Sequence, residues 1–428
     1  MMTADRNVTS PESESRITFL DSLRYLFVFG VVIQHAGMAY IDSGWWPVDE
    51  GYSIIVGLLM TITDGFLMPS LFYISGYFVV PSIKNRGFTA FNLAKLKRLG
   101  VPWLVCTLFI CPILPFVYHY TRNGLQFSSG YFSIWLEVMQ NALKFDVGLM
   151  PPKPYLMQHN LFYQRYMWFI SLLIFFFLIF SFIYRIKKDW FEPDYRLGLK
   201  TPSVWSTLKM FLSIGALTFS GSFILIGIMF LLAPDVSDPE TWFTLGNIIQ
   251  FRVSRIFLHI TYFILGIFTY KYRWLQRNKF PGHQKTCVVF FLVILVFYLS
   301  SRSMLEIGPV ELKPLFSIIF WLFLNFFAIS ALGLSLCLSI KYLNQPTPLN
   351  QILSANSFNF YLTHYIIVIG FQFVFLIIPG LPLLLKYGLV CTMSLFGTYI
   401  VCQFLIRPYP RFTVVALAGL FSVMTFTF

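Results

Sequence analysis

Long apolar runs separated by short polar breaks make up most of the chain. The first extends from Thr18 to Tyr40, and others follow at about residues 54–80, 99–120, 165–184, 207–232, 252–270, 286–302, 314–340, 355–378 and 382–406. Each is close to the ~20 residues that a helix needs to cross a hydrocarbon core. A barrel would show short segments of alternating polarity instead, because only helices and closed barrels satisfy every backbone polar group in lipid. The pattern therefore predicts an all-α integral membrane protein, a polytopic helical bundle of about ten transmembrane helices. The apolar stretch from Phe412 to Phe428 has only 17 residues. It reads either as an eleventh, partial crossing or as a helix lying at the interface.

Three organisational units follow. Residues 1–15 are polar, rich in Ser, Thr and Glu, and are expected to form a disordered cytoplasmic tail with no secretory signal before the first span. Residues 16–411 form the transmembrane domain, and residues 412–428 the C-terminal apolar segment. The Pro- and aromatic-rich PPKPYLMQHNLFYQRY, in the break after the third run, reads either as an ordered re-entrant or lid segment or as a plain connector. No internal repeat or separate soluble domain is visible.

Composition agrees with this class: 57% of residues are hydrophobic, 11% are charged, and the mean hydropathy is +0.71, far outside the soluble range. The six cysteines lie in or beside apolar runs without metal-type spacing, as buried small hydrophobes do. The net charge of +13 is unevenly placed. With a cytoplasmic N-terminus, 21 Lys and Arg residues fall on inner segments and 9 on outer ones, the bias that orients membrane proteins. The expected location is the cytoplasmic (inner) membrane. Such a charge suits lipid headgroups or an anionic cytosolic substrate, and nothing suggests nucleic acid as a partner.

The exceptions within the spans carry the candidate chemistry, since an ionisable side chain inside a membrane is costly and is usually there for a job. The first span holds Asp21, Arg24 and His35. Arg24 and His35 are eleven residues apart, which returns them to one helical face, roughly 16 Å apart along the axis. A packing helix would explain the same residues with Arg24 snorkelling and paired to Asp21, and with His35 in one interhelical hydrogen bond. Asp64 is an acid in the second span whose partner the sequence does not reveal. Ser75 and Gly76 permit close helix approach there. His364 shares a face with Tyr361 and Ser357, and a structural hydrogen bond is its favoured role. His259 follows Arg252 and Arg255 and fits an outer pocket. His119, His159 and His283 lie in loops or at span ends.

Several stretches taken together bear a resemblance. LDSLR followed by His35, FYISGYF over residues 72–78, and KLKRLGVPWL over 95–104 resemble motifs of the membrane-bound acyltransferase family 3. So do YMWFISLLIFF at 166–176, YFILGIFTYKYRWL at 262–275 and SANSFNFYLTHYIIVIG at 354–370. The order agrees from about residue 16 to 407, and the subgroup most resembled is the periplasmic glucan succinyltransferases. The chain departs from that subgroup at Asp64 and Leu67, where an Arg or His is common, and at Tyr166–Met167, where a His is common. The resemblance implies an O-acyltransferase that moves an acetyl or succinyl group from cytoplasmic acyl-CoA to a carbohydrate or glycolipid hydroxyl outside the membrane. Acyl-CoA is then a co-substrate and no cofactor is bound.

The resemblance also implies roles. His35 would be the general base, and Arg24, Lys95 and Arg98 would hold the donor; cations three residues apart on a helix can grip one phosphate together. Asp21, Asp64, Ser75, Gly76, Tyr77, Trp168, His259 and His364 are expected to line the site. A transporter or flippase for a glycolipid or carbohydrate precursor is the alternative, but it should show inverted repeats or paired Gly/Pro-broken helices. A non-catalytic sensor gives no reason for a cation and an imidazole on one face.

Overall fold

The computed structural model describes residues 17–126, 129–150, 162–193, 203–236, 238–275 and 282–428. The polar tail at 1–15 and most of the PPKPYLMQHNLFYQRY segment lie outside them. Among the described residues, eleven helical stretches are long and apolar enough to cross a membrane. The first two are α1 (Thr18–Gly37) and α2 (Ile54–Arg86). A bent third combines α3 (Phe88–Lys95), α4 (Val101–Phe109) and α5 (Ile113–Arg122). After the short α6 (Tyr131–Ala142) come α7 (Trp168–Ile186), α8 (Val204–Leu232) and α9 (Val253–Lys271). The last five are α10 (Gln284–Ile307), α11 (Lys313–Tyr342), α12 (Pro348–Leu376), α13 (Leu383–Ile400) and α14 (Pro410–Thr427).

α1 is central and packs against α2, α11, α12 and α13. The most extensive pairing is between α2 and α9. A Cβ on Gly76 would fall 2.0 Å from the Phe263 carbonyl oxygen, and one on Gly266 would fall 2.1 Å from that of Tyr73. These two glycines let the backbones touch, which is what small residues do at helix crossings in lipid. α2 runs on through Pro69 and Pro81 to Arg86, several residues past the end that hydropathy suggests. Neighbouring helices stabilise such proline-containing spans.

One end of the bundle, the basic face, carries Lys84, Arg86, Lys95, Lys97 and Arg98. The other carries a small antiparallel sheet, β1 (Val147–Leu149), β2 (Trp242–Leu245) and β3 (Ile249–Arg252), in that order. The hydropathy pattern predicts no strands. Runs of three or four residues give too little alternation to register, although the Gly246–Asn247 pair, both with positive φ, is a hairpin signal. α14 lies along α4 and α6, with the Phe421 ring 6.1 Å from Phe109 and 5.1 Å from Trp135, and Phe428 5.9 Å from Phe116. It thus rises from the basic face to the sheet face.

Candidate active site

The eleven-residue spacing in α1 turns both polar residues towards α12. Arg24 donates from Nε to Ser357 Oγ (3.0 Å) and from Nη2 to the carbonyl and hydroxyl oxygens of Ser354 (both 3.2 Å), and it pairs with Asp21 at 3.2 Å. Farther along the same face, His35 Nδ1 lies 3.0 Å from His364 Nε2. His364 Nδ1 is 3.1 Å from the Phe360 carbonyl and 2.8 Å from that of Tyr361, so Nδ1 must carry the proton that it donates to them. Its Nε2 is then the acceptor. The assignment, drawn from the hydrogen-bond network, puts the shared proton on His35 Nδ1 and leaves the lone pair of His35 on Nε2.

The His35 ring is boxed in. The Trp46 indole stacks on it at 5.5 Å with an interplanar angle of 14°, and Tyr365 packs at 4.9 Å and 59°. Gln372, fully buried in α12, accepts from Trp46 Nε1 (2.8 Å) and donates to the carbonyls of His35 and Ala36 (both 3.0 Å). Neither Trp46 nor Gln372 stands out among the candidate site residues of the sequence. The available signal was a lone amide in an otherwise apolar stretch of span, which is costly unless satisfied.

His35 lines a cavity of about 640 Å³ at the sheet face, together with Gln34, Asp64, Arg165, Trp168, Trp242, Arg255 and His259. Asp64 meets neither His35 nor Arg24. Its partners are Arg255 at 2.8 Å and Gln34 at 3.4 Å. Arg255 also reaches Glu240 at 2.9 Å, which binds Arg252 at 2.7 Å. Burial works against the charge on Arg252, but Glu240 and Asp64 more than offset it and hold the guanidinium above its ordinary value. Burial likewise pushes the Tyr163 phenol up, so it stays protonated. His259 sits between Phe72 (4.9 Å) and Trp168 (5.5 Å), and its Nδ1 has no hydrogen-bond partner among the described residues.

The Gln164–Arg165–Tyr166 turn closes one wall. Gln164, fully buried, accepts at Oε1 from Trp103 and Ser171 and donates from Nε2 to the carbonyls of Asn247 and Ile248. That clasp holds Arg165 in the cavity wall at φ +57°. Tyr166 donates to the Leu362 carbonyl at 2.7 Å, and Tyr361 donates back to the Tyr166 carbonyl. This layer lies between the cavity and the basic face, and the cavity lining includes none of Arg24, Lys95 and Arg98.

At the basic face, Lys95 lies over the rings of Phe177 (4.1 Å) and Phe91 (5.3 Å). Arg98, Arg86 and Arg24 are all near enough to act on its charge. The three residues expected to hold the donor are therefore grouped, and Arg86 joins them. Ser75, Gly76 and Tyr77 are placed elsewhere. Ser75 donates to the Leu71 carbonyl at 2.8 Å, Gly76 makes the α2–α9 crossing, and Tyr77 packs edge-on to Tyr270 at 5.8 Å. None of the three lines the cavity. Trp168, His259 and Asp64 do, and His364 meets His35 directly. Asp21 supports Arg24. His283 caps α10 by accepting from Thr286 N.

A helical bundle with an imidazole pair buried between α1 and α12, a charged cavity on one side and a cation cluster on the other, defines a polytopic membrane protein with a candidate acid–base site in its interior. The family model Acyl_transf_3, an acyltransferase domain, matches residues 17–403. The chain belongs to that family and is a membrane acyltransferase. Comparison with curated proteins and with solved structures finds no match to either.

Proposed function

We propose that this acyltransferase carries an acetyl or succinyl group from acyl-CoA on the cytoplasmic side to a hydroxyl of a carbohydrate or glycolipid on the other side, with the N-terminus cytoplasmic. The observation that supports this best is the His35–His364 pair at the wall of the sheet-face cavity. The cation excess makes the basic face the cytoplasmic one. The phosphates of CoA are held by Lys95 and Arg98, helped by Arg24 and Arg86, while the thioester extends along α12 past the Tyr166–Tyr361 layer. An acceptor hydroxyl enters the cavity from the sheet face, and His35 Nε2 takes its proton. The hydroxyl oxygen attacks the thioester carbon, the carbon–sulfur bond breaks, and the thiolate leaves with the proton returned by the imidazolium. His364 accepts the Nδ1–H bond throughout and stabilises the charged ring.

The resemblance to glucan succinyltransferases favours a succinyl donor and a glucan acceptor in the inner membrane of a two-membrane cell. The purified protein in lipid nanodiscs, incubated with acetyl-CoA or succinyl-CoA, is expected to release free CoA faster when an oligosaccharide acceptor is present. A His35→Gln protein that releases CoA at the wild-type rate, or a wild type that turns over neither donor with any acceptor, would overturn the reading.

A further inference from the structure

The geometry points to Gln372 as a positioning residue for acyl transfer, acting through Trp46 to hold the His35 ring in its reactive orientation. The assignment rests on the reading of His35 as the base. Imidazole χ2 is a soft torsion with two broad wells about 180° apart. A flip of that kind puts Cδ2 where Nδ1 stood and Cε1 where Nε2 stood, so the ring loses its bond to His364 and its lone pair turns away from the acceptor. The hydrogen bond from His35 Nδ1 to His364 Nε2 opposes the flip, but as a single contact at one edge it leaves the ring free to tilt within its broad well.

What fixes the plane of the ring is the stack. Trp46 covers one face of the ring nearly parallel, and the indole is itself fixed at its only polar atom by Gln372 Oε1. The two amide hydrogens of Gln372 go to the carbonyls of His35 and Ala36, at the last turn of α1. One side chain therefore ties the backbone that carries the imidazole to the ring lying over it. Every polar atom of Gln372 is used, in a helix where a leucine would pack at less cost. The loop bearing Trp46 is further pinned by Arg122 at the Trp46 carbonyl (3.1 Å) and by Lys386 at Glu50 (2.6 Å).

The experiment measures acyl transfer by full-length protein in nanodiscs. Gln372→Met, similar in volume but unable to make the three hydrogen bonds, is expected to lower kcat about 10- to 100-fold, the scale of a misplaced reacting group. The KM for acyl-CoA should stay within about twofold, since the donor cluster lies at the opposite face. In a His35→Gln background, Gln372→Met should cause no further loss of the residual rate, because residues acting through one group are not additive. Trp46→Phe keeps an aromatic face on His35 but loses the N–H that Gln372 holds, so its kcat should fall clearly below wild type while staying above that of Trp46→Ala. A Gln372→Met protein with wild-type kcat, or an equal further loss in the His35→Gln background, overturns the proposal. If Gln372→Met does not fold, a Trp46→Phe protein with wild-type kcat overturns it. A wild type without acyl transfer overturns the base assignment and this one with it. Transfer that needs His35 but not Gln372 overturns this one alone.

Discussion

His364 Nε2 lies 3.0 Å from His35 Nδ1 across 329 residues of chain, and it can only accept, because its own Nδ1 is committed to the carbonyls of Phe360 and Tyr361. A buried backbone contact thus sets the tautomer of the ring that lines the cavity.

His364→Leu removes that acceptor, whereas His364→Gln can still offer a carbonyl oxygen. The Leu variant is expected to lose roughly 10- to 100-fold in kcat and the Gln variant distinctly less, while His35→Gln loses at least about 100-fold. Steady-state kinetics on protein that elutes as a single folded species checks the order. Equal rates for His364→Leu and wild type would remove His364 from the mechanism.

Lys95 and Arg98 should govern donor affinity. Replacing both with Gln is expected to raise the KM for acyl-CoA about tenfold or more, the loss of one or two charge-assisted contacts. The acceptor KM should not change, because those cations lie outside the cavity. Reporter fusions within residues 185–193 and 129–146 test the orientation that the assignment needs, the first reading cytoplasmic and the second external.

Arg255 bridges Asp64 and Glu240 with its own side chain only 7% exposed. Arg255→Met leaves two carboxylates facing each other beside a vacated site. Breaking a buried pair costs about 3–5 kcal/mol, and with the Asp64 side chain 40% exposed the loss should fall near the lower end. Thermal unfolding in nanodiscs should show a lowered Tm that is partly recovered by adding Asp64→Asn. Arg255→Lys should not restore it fully, since an ammonium lacks the planar fork that reaches two partners.

At the α2–α9 crossing, Gly76→Ala places a methyl where the Phe263 carbonyl oxygen already stands. The helices must separate, at a cost of about 1–3 kcal/mol or more. Gly266→Ala opens the same crossing, so the double variant should lose less than the sum of the singles. Tm and the yield of folded protein report this, and a Gly76→Ala protein as stable as wild type would mean the contact yields easily.

Much of this protein was legible along the chain. Hydropathy located the spans because a bilayer demands about twenty apolar residues per crossing whatever the partners are, and the eleven-residue step from Arg24 to His35 put both on one face because helix geometry is local. That face does meet α12, and Lys95, Arg98 and Arg24 do gather at one end. What the sequence could not decide was which distant groups meet. Asp64 had no visible partner until Arg255 arrived from 191 residues away, and Ser75, Gly76 and Tyr77 proved to be helix packing and not cavity wall. His364 read as a structural histidine because its helical neighbours say nothing of the ring opposite. Trp46 and Gln372, 326 residues apart, carried no joint signal at all. Lipid fixes where a chain must be apolar, residue by residue. The pairing of its few polar side chains depends on how whole helices dock, and that is set by close approaches such as Gly76 on Phe263, which no single stretch of sequence contains.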